Sequence, residues 1–504
     1  MQVFDWFGKW GIYSKDKTAF KEFETGRTFT YKKVNVLASA LSKYFKDNMN
    51  LKKGDRVSVL AENSIEYIIL FGVAQKLGIT LVPLNYRLTS SELDFIISDA
   101  GCMLIISEEK FANKITTLDC YQNIKFKLLL EELKSILAGF ESEEFDGEFN
   151  NDNQTEEITE DDAAFILYTS GTTAFPKGAV YTHKMLFYNS INTELRLDLT
   201  SSDRSINSAP SFHTGSWNVL MTPFIHHGAF TLLMKSFNPE LMLKALDEEK
   251  ITIWWAVPTM LKMMSDSEMF EKVELKNLRY LVVGGEAMPI DLIEKWHSKG
   301  VLIRQGYGLT EVGPNVTSLN HQDAIRKQGS IGTPNFYYNT KIVDADEKEI
   351  VNEGVGELAL KGPTVTPGYW KNDVATKESI KNGWFFTGDI VRRDKEGFLF
   401  VVDRIKNMYI SGGENVYPAE VEHVLLNHPK IKDAAIIGIP DEKWGETGKA
   451  FIVKNELSDL KEEDIINYCV ERLAKYKVPK HIRFLTSLPT NDAGKIDRKK
   501  LKEL

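Results

Sequence analysis

The stretch Tyr168-Thr169-Ser170-Gly171-Thr172-Thr173-Ala174-Phe175-Pro176-Lys177-Gly178 decides how this chain is read. Four small hydroxyl side chains, two glycines and one lysine fall within eleven residues. The apolar run just ahead of it, residues 163–168, reads as a short buried strand. Hydroxyls, exposed backbone N–H groups and an ammonium suit a polyphosphate, which takes many donors and positive charge. A plain surface turn behind a buried strand rarely needs so many donors. The spacing also differs from the Walker A loop, which closes on Gly-Lys and then Ser or Thr. Here Pro176 replaces the second glycine and Gly178 follows Lys177. With no hydroxyl beside the lysine to hold magnesium, the metal ligand is expected elsewhere.

This stretch resembles the phosphate loop of the adenylate-forming superfamily: acyl-CoA synthetases, adenylation domains of peptide synthetases and firefly-type luciferases. The usual form there is Thr-Ser-Gly-Thr-Thr-Gly-x-Pro-Lys-Gly. Ala174 departs from it, standing where glycine is usual. If that position needs positive φ, alanine costs on the order of 1 kcal/mol. The resemblance implies that Thr169, Ser170, Gly171, Thr172, Thr173 and Lys177 grip the β- and γ-phosphates of ATP. It extends over nearly the whole chain, from Asn85-Tyr86-Arg87-Leu88-Thr89 to Lys495, with the motifs in the family's order.

The second motif is Gln305-Gly306-Tyr307-Gly308-Leu309-Thr310-Glu311-Val312-Gly313-Pro314, similar to the family's Tyr-Gly-x-Thr-Glu. The resemblance gives Gly306, Tyr307 and Gly308 to the nucleotide, with the Tyr307 ring against adenine. It gives Thr310 to the α-phosphate and Glu311 to magnesium, which requires hard oxygen ligands. Gly284-Gly285-Glu286-Ala287-Met288-Pro289 resembles the segment walling adenine and acyl group, through Gly285, Glu286 and Ala287. Asp389 in Phe386-Thr387-Gly388-Asp389 takes the ribose hydroxyls, which a carboxylate accepts well, and Arg404 is a second ribose contact. Taken alone, Thr-Gly-Asp is more often a turn.

The same resemblance makes Lys495, nine positions before the last residue, the mobile catalytic lysine; an ammonium there follows the charge of the transition state. Ala493 stands where many members have Ser or Thr. Gly412 and Gly413, in Ile410-Ser411-Gly412-Gly413-Glu414-Asn415, leave room for the pantetheine arm of coenzyme A. Lys406 aligns with a hinge, where a residue absorbs backbone change rather than doing chemistry. His213, in Pro210-Ser211-Phe212-His213, lines the meeting point of acyl carbon and thiol and shapes the site rather than moving a proton. The acyl pocket is expected from Gly215, Ser216, Trp217, Trp255, Val257, Pro258 and Met260, whose aromatics and few charges suit an apolar tail. These residues could equally be ordinary core.

Length and composition allow large cores and more than one domain. The chain has 504 residues, 43% of them hydrophobic, enough for more than one core. Cys102, Cys120 and Cys469 are too scattered for a metal site and cannot all pair, so a reducing, cytoplasmic location is expected. No signal peptide is read, and residues 65–84 are interrupted by Glu66, Gln75 and Lys76, as in a core helix followed by a strand. A net charge of −9 argues against a nucleic-acid partner. Residues 404–504 carry 18 Lys/Arg against 16 Asp/Glu, whereas residues 1–403 carry 44 against 55. A slightly basic tail on an acidic body suits a lid over anionic ligands. Residues 141–162 hold eleven Asp/Glu and read as a solvated, mobile segment with no catalytic role.

Strand-like runs alternate with helical patterns. Residues 56–60 lead into Asn63-Ser64-Ile65-Glu66, an N-cap with Glu three residues on. Residues 251–257 and 280–283 read as further strands. The fold expected is α/β, with a large N-terminal domain of layered α/β subdomains and a small β-barrel-like part over residues 1–403. A small, mobile α+β domain is expected over 404–504, hinged about 403–406. The function implied is an ATP- and magnesium-dependent carboxylic acid:CoA ligase, forming acyl-AMP and then acyl-CoA. A medium- or long-chain fatty acid leads, with an aryl or phenylpropanoid acid as alternative. Amino-acid activation fits less well, because no Asp stands near Phe212-His213 to hold a substrate ammonium. A luciferase-like oxygenase and a silent nucleotide-binding protein remain the other readings. Peripheral membrane contact and a homodimer stay open.

Overall fold

The computed structural model describes residues 2–142, 157–169, 176–285, 288–411, 414–455, 458–491 and 495–504. Most of the acidic segment 141–162 lies outside them, as do Ser170, Gly171, Thr172, Thr173, Ala174, Glu286, Ala287, Gly412, Gly413 and Ala493. The chain divides into two compact units. One comprises Met1–Thr340 and Leu360–Phe385, the other Lys341–Ala359 and Phe386–Leu504. The boundary expected near residue 403 falls within the second unit.

The first unit is layered α/β, as expected. Its largest sheet runs, in spatial order, Phe126–Leu129, Leu104–Ser107, Arg56–Leu60, Thr80–Pro83, Ala163–Thr169 and Lys177–Thr182. The first five strands are parallel, and the last turns back as an antiparallel hairpin. Parallel strands are covered on both faces, so these read as nearly continuous apolar runs. Helix Ile65–Leu77 crosses between two of them and is buried at all thirteen positions. An apolar helix with no polar face belongs inside a core, and its one cation is matched: Lys76 Nζ lies 2.7 Å from Asp5 Oδ2 and donates to Asn35 Oδ1 at 2.6 Å. Among the described residues no helix is long and apolar enough to cross a membrane.

A second sheet orders Thr28–Thr30, Thr18–Glu22, Phe230–Leu233 and Arg204–Asn207. A third orders Ile253–Ala256, Tyr280–Val283, Leu302–Leu309, Gly313–Ser318 and Thr333–Pro334. The first three strands of this last sheet are parallel, with Ala256 opposite Val283 and Val283 opposite Gln305. Their carboxyl ends therefore lie side by side and deliver Val257, Gly284-Gly285 and Gly306 to one edge. That edge is where open α/β sheets place their ligands.

The N-cap expected at Asn63 is not formed. Ser64 occupies the cap position without a side-chain hydrogen bond. The Asn63 amide instead donates to Ala209 O at 2.9 Å and Met234 O at 3.1 Å, and Asn63 Oδ1 accepts from Ser211 N and Ser211 Oγ at 3.1 and 2.6 Å. Four tertiary hydrogen bonds outweigh one local cap, which is worth about 1 kcal/mol.

In the second unit, Trp384–Arg393 pairs antiparallel with Leu399–Arg404, placing Asp389 opposite Arg404. Farther on, strands Ile431–Asp441, Gly445–Lys454 and His481–Leu485 pack with helices Pro418–Leu426 and Glu462–Val470 around one apolar cluster. This is the small α+β region expected from the sequence.

Candidate active site

The described ends of the phosphate-loop stretch lie on the paired strands Ala163–Thr169 and Lys177–Thr182. Thr169 stands opposite Lys177 and Tyr168 opposite Gly178 in the register. Thr169 Oγ1 donates to Lys177 O at 3.4 Å, closing the base of the turn. Tyr168 is tied below it, its hydroxyl donating to Asp99 Oδ2 at 2.5 Å.

Glu311 comes from a second hairpin. Leu302–Leu309 turns through the short 3₁₀ segment Thr310–Val312 into Gly313–Ser318. Gly306 pairs with Ser318 and Leu309 with Gly313. Gly308 permits this turn: a Cβ there would lie 2.3 Å from the carbonyl carbon and oxygen of Pro314. Tyr307, Thr310 and Glu311 are all half-buried on the hairpin.

A residue the sequence reading passed over joins the two hairpins. Residues 366–371 run along Lys177–Thr182: Val180 N donates to Gly368 O at 3.2 Å and Trp370 N to Gly178 O at 2.7 Å. Thr366 N also donates to Glu311 O at 2.7 Å. Tyr369 is thereby set between the motifs. Its hydroxyl donates to Glu311 Oε1 at 2.9 Å, and Lys177 Nζ lies 5.3 Å from its ring centroid. Burial, and then the Glu311 carboxylate, push the phenol's pKa up, so it remains a donor. The sequence signal was Pro367-Gly368-Tyr369-Trp370, an aromatic pair after a turn, which carries no chemistry by spacing alone.

The expected acyl-pocket residues assemble only in part. A Cβ on Gly215 would lie 2.6 Å from the Trp255 ring, so the indole is seated on Gly215. A Cβ on Gly285 would touch Val257, and one on Gly284 would lie 3.3 Å from Gly306 O. Gly215, Trp255, Val257, Gly285 and Gly306 thus share the sheet edge. Trp217 lies elsewhere: it is fully buried against Tyr67, Phe71 and Phe165, and its Nε1 donates to Ser211 O at 2.7 Å. Met260 packs against a neighbouring core from helix Pro258–Ser265. Beside Trp255 lies a cavity of about 10 Å³ that also touches Ser205, Asn207, Gly215, Ser216 and Thr231. Ser205 Oγ is buried and makes no hydrogen bond. Of this lining, Gly215, Ser216 and Trp255 were expected from the sequence, whereas Ser205, Asn207 and Thr231 were not.

His213 is half-buried on the loop that Asn63 holds through Ser211, its ring 4.5 Å from that of Phe212. The loop continues into a π-helix, Ser216–Met221. Wider π turns leave carbonyls without their usual partners, and buried amides take them up. Asn189 Nδ2 donates to Asn218 O at 2.6 Å and Asn315 Nδ2 to Val219 O at 3.1 Å. Asn315 lies on the strand that follows Glu311, so the π-helix and the Glu311 hairpin are hydrogen-bonded together.

In the second unit, Arg404 Nε lies 2.7 Å from Asp389 Oδ1, and Asp389 is 2% exposed. Asp403 accepts from Ala419 N at 2.8 Å at the start of helix Pro418–Leu426. Lys406 is half-buried, and burial, then Arg404, lower its pKa, with Lys499 and Lys495 adding to the effect. Lys495 is exposed, and its N–H donates to Asn491 Oδ1 at 3.0 Å.

No cluster of three or more His, Cys, Asp or Glu suited to a metal occurs among the described residues. Glu311 therefore offers a single carboxylate. That donor set fits magnesium, which commonly takes one or two carboxylates together with substrate phosphates.

The model for AMP-binding enzymes matches residues 10–370, and that for their C-terminal domain matches residues 420–495. The long-chain-fatty-acid–CoA ligase FadD13 of Mycobacterium tuberculosis is 36% identical over 493 residues, 96% of this chain and 95% of that protein. Feruloyl-CoA synthase from an Amycolatopsis species is 34% identical over 446 residues, 88% of each. The solved structure of the O-succinylbenzoate–CoA synthetase MenE from Bacillus subtilis, with ATP and magnesium, superposes with a TM-score of 0.85 at 29% identity. It covers 99% of both chains.

Proposed function

The chain belongs to the AMP-binding enzyme family, and from that premise we propose that it is an AMP-forming acid–thiol ligase. It joins a carboxylic acid to coenzyme A at the expense of ATP. The observation that carries this reading is the junction of Lys177, Tyr369 and Glu311. It brings one ammonium and one carboxylate from separate hairpins to a common point beside the phosphate-loop turn.

A carboxylate resists thiol attack because its leaving group would be an oxide. Attack of the substrate carboxylate on the α-phosphorus of ATP, with loss of pyrophosphate, turns that oxygen into part of AMP, a good leaving group. The thiol of coenzyme A then displaces AMP. Magnesium, when bound, neutralises phosphate charge. Glu311 would hold it, with Thr310 beside the α-phosphate. Lys177 and the adjoining turn bind the phosphates that leave as pyrophosphate. Tyr307 flanks the adenine, while Asp389, oriented by Arg404, takes the ribose. Lys495 stabilises charge in adenylation. Residues 404–504 act as the lid, hinged about Lys406, and Gly412-Gly413 face the pantetheine arm.

For the acid itself we favour a medium- or long-chain fatty acid, on the similarity to FadD13. An aryl acid is the second reading, supported by the similarity to feruloyl-CoA synthase. The test mixes enzyme, ATP, magnesium and coenzyme A with a panel of fatty and aryl acids and follows AMP and thioester. Acid-dependent AMP is expected; no AMP with any acid would sink the ligase reading, and the ranking of acids decides between the two substrate classes.

A further inference from the structure

Glu311 has two carboxylate oxygens, and one of them is held by a phenol. Tyr369 donates its single hydroxyl proton to Oε1 at 2.9 Å. The phenol cannot drift away from that bond. Tyr369 N donates to Thr376 Oγ1 at 2.9 Å, and its neighbours on both sides are bonded to the strand that starts at Lys177. The Glu311 backbone is fixed from the same segment, through Thr366 N. Lys177 approaches the ring face rather than the carboxylate. The phenol therefore stands as a rigid spacer between cation and anion.

We infer that Tyr369 is a positioning residue that favours Glu311 as a one-oxygen ligand, and that this selects magnesium over calcium. Magnesium takes near-ideal octahedral geometry with carboxylates bound through one oxygen. Calcium takes six to eight oxygens and readily accepts both oxygens of one carboxylate. With one lone pair of Oε1 engaged by the phenol, Oε2 is the less encumbered donor of Glu311. Without the phenol, the carboxylate can rotate and bind through both oxygens, which relaxes the preference and loosens the magnesium complex. This inference rests on the assignment of Glu311 as metal ligand made above.

The test compares wild type, Tyr369→Phe and Glu311→Gln in the full chain. Manganese binding in the presence of ATP is read from the free-ion electron paramagnetic resonance signal, which needs no turnover. Acid-dependent AMP formation is titrated with magnesium, and with calcium as competitor. Removing a group that orients a metal ligand typically weakens metal affinity 10–100-fold. Tyr369→Phe is accordingly expected to weaken manganese binding about tenfold, to raise the magnesium requirement alike, and to make calcium a stronger inhibitor. Thioester formation from supplied acyl-adenylate should persist, showing that the variant is folded. Wild-type manganese binding and calcium sensitivity in Tyr369→Phe would overturn the positioning role. Wild-type manganese binding in Glu311→Gln would instead overturn the metal assignment, and absence of acid-dependent AMP in the wild type would overturn the ligase reading itself.

Discussion

At the scale of single residues, the site depends on a few polar side chains whose partners are fixed. Glu311→Gln keeps the size of the side chain but removes the charge that would hold magnesium. AMP formation should fall at least 100-fold, about 3 kcal/mol in transition-state stabilisation, while the protein stays folded. Steady-state rates and a thermal unfolding curve check this together. Asp389 shows a different dependence. It is buried and paired with the exposed Arg404, so Asp389→Ala removes that pair as well as the proposed ribose contact. A rise in KM for ATP is expected with little change in KM for the acid. Equal effects on both would argue that Asp389 serves only the fold of its own unit.

Among the elements, two hairpins and one loop matter most. The turn at Gly308 leaves no room for a methyl group, because a Cβ would lie 2.3 Å from backbone atoms of Pro314. Gly308→Ala should displace Thr310 and Glu311 together. The expected loss of AMP formation is comparable to that of Glu311→Gln, and a wild-type rate would refute the role of the turn. The loop before His213 depends on Asn63, which makes four hydrogen bonds to it and to Met234. Asn63→Ala leaves buried carbonyls and the Ser211 hydroxyl short of partners, at a cost of about 2–4 kcal/mol. A drop in melting temperature with an activity loss larger than for a comparable core substitution is the outcome that supports loop positioning.

For the whole molecule, acid should be destabilising. His183 is 1% exposed and stacked on Phe4, and burial lowers its pKa from 6.5 to about 4. Asp162 opposes this shift and Lys53 adds to it. The folded state therefore holds the neutral ring. Its contribution is intact above about pH 6.5 and is lost as pH falls toward 4, up to about 3 kcal/mol over that window. Melting temperature should decline across this range, and His183→Phe should flatten the decline; identical slopes would show that other groups govern it. The two half-reactions give the other test at this scale. Lys495→Ala should abolish adenylation yet spare thioester formation from supplied acyl-adenylate. Equal loss of both would refute separate roles for the two steps.

Local chemistry in the sequence was enough to determine the outline of this protein. Strand-then-donor-rich-turn at residues 163–178, alternating strand and helix patterns, and the Thr310-Glu311 and Thr387-Gly388-Asp389 pairs are short-range features, and short-range features survive in a one-dimensional reading. They identified the α/β fold, the buried strand ahead of Lys177 and the family. What they could not contain was contact between distant segments. Tyr369 lies 58 residues from Glu311 and 192 from Lys177, so only folding shows that one phenol joins them. Asn63 looked like a local cap and became a tertiary anchor, because four buried partners offered more than one helix end. Trp217 looked like a pocket wall and is core, because its neighbours Tyr67, Phe71 and Phe165 come from other elements. Sequence spacing names the groups able to do the chemistry; tertiary packing decides which of them meet and which merely hold the others in place.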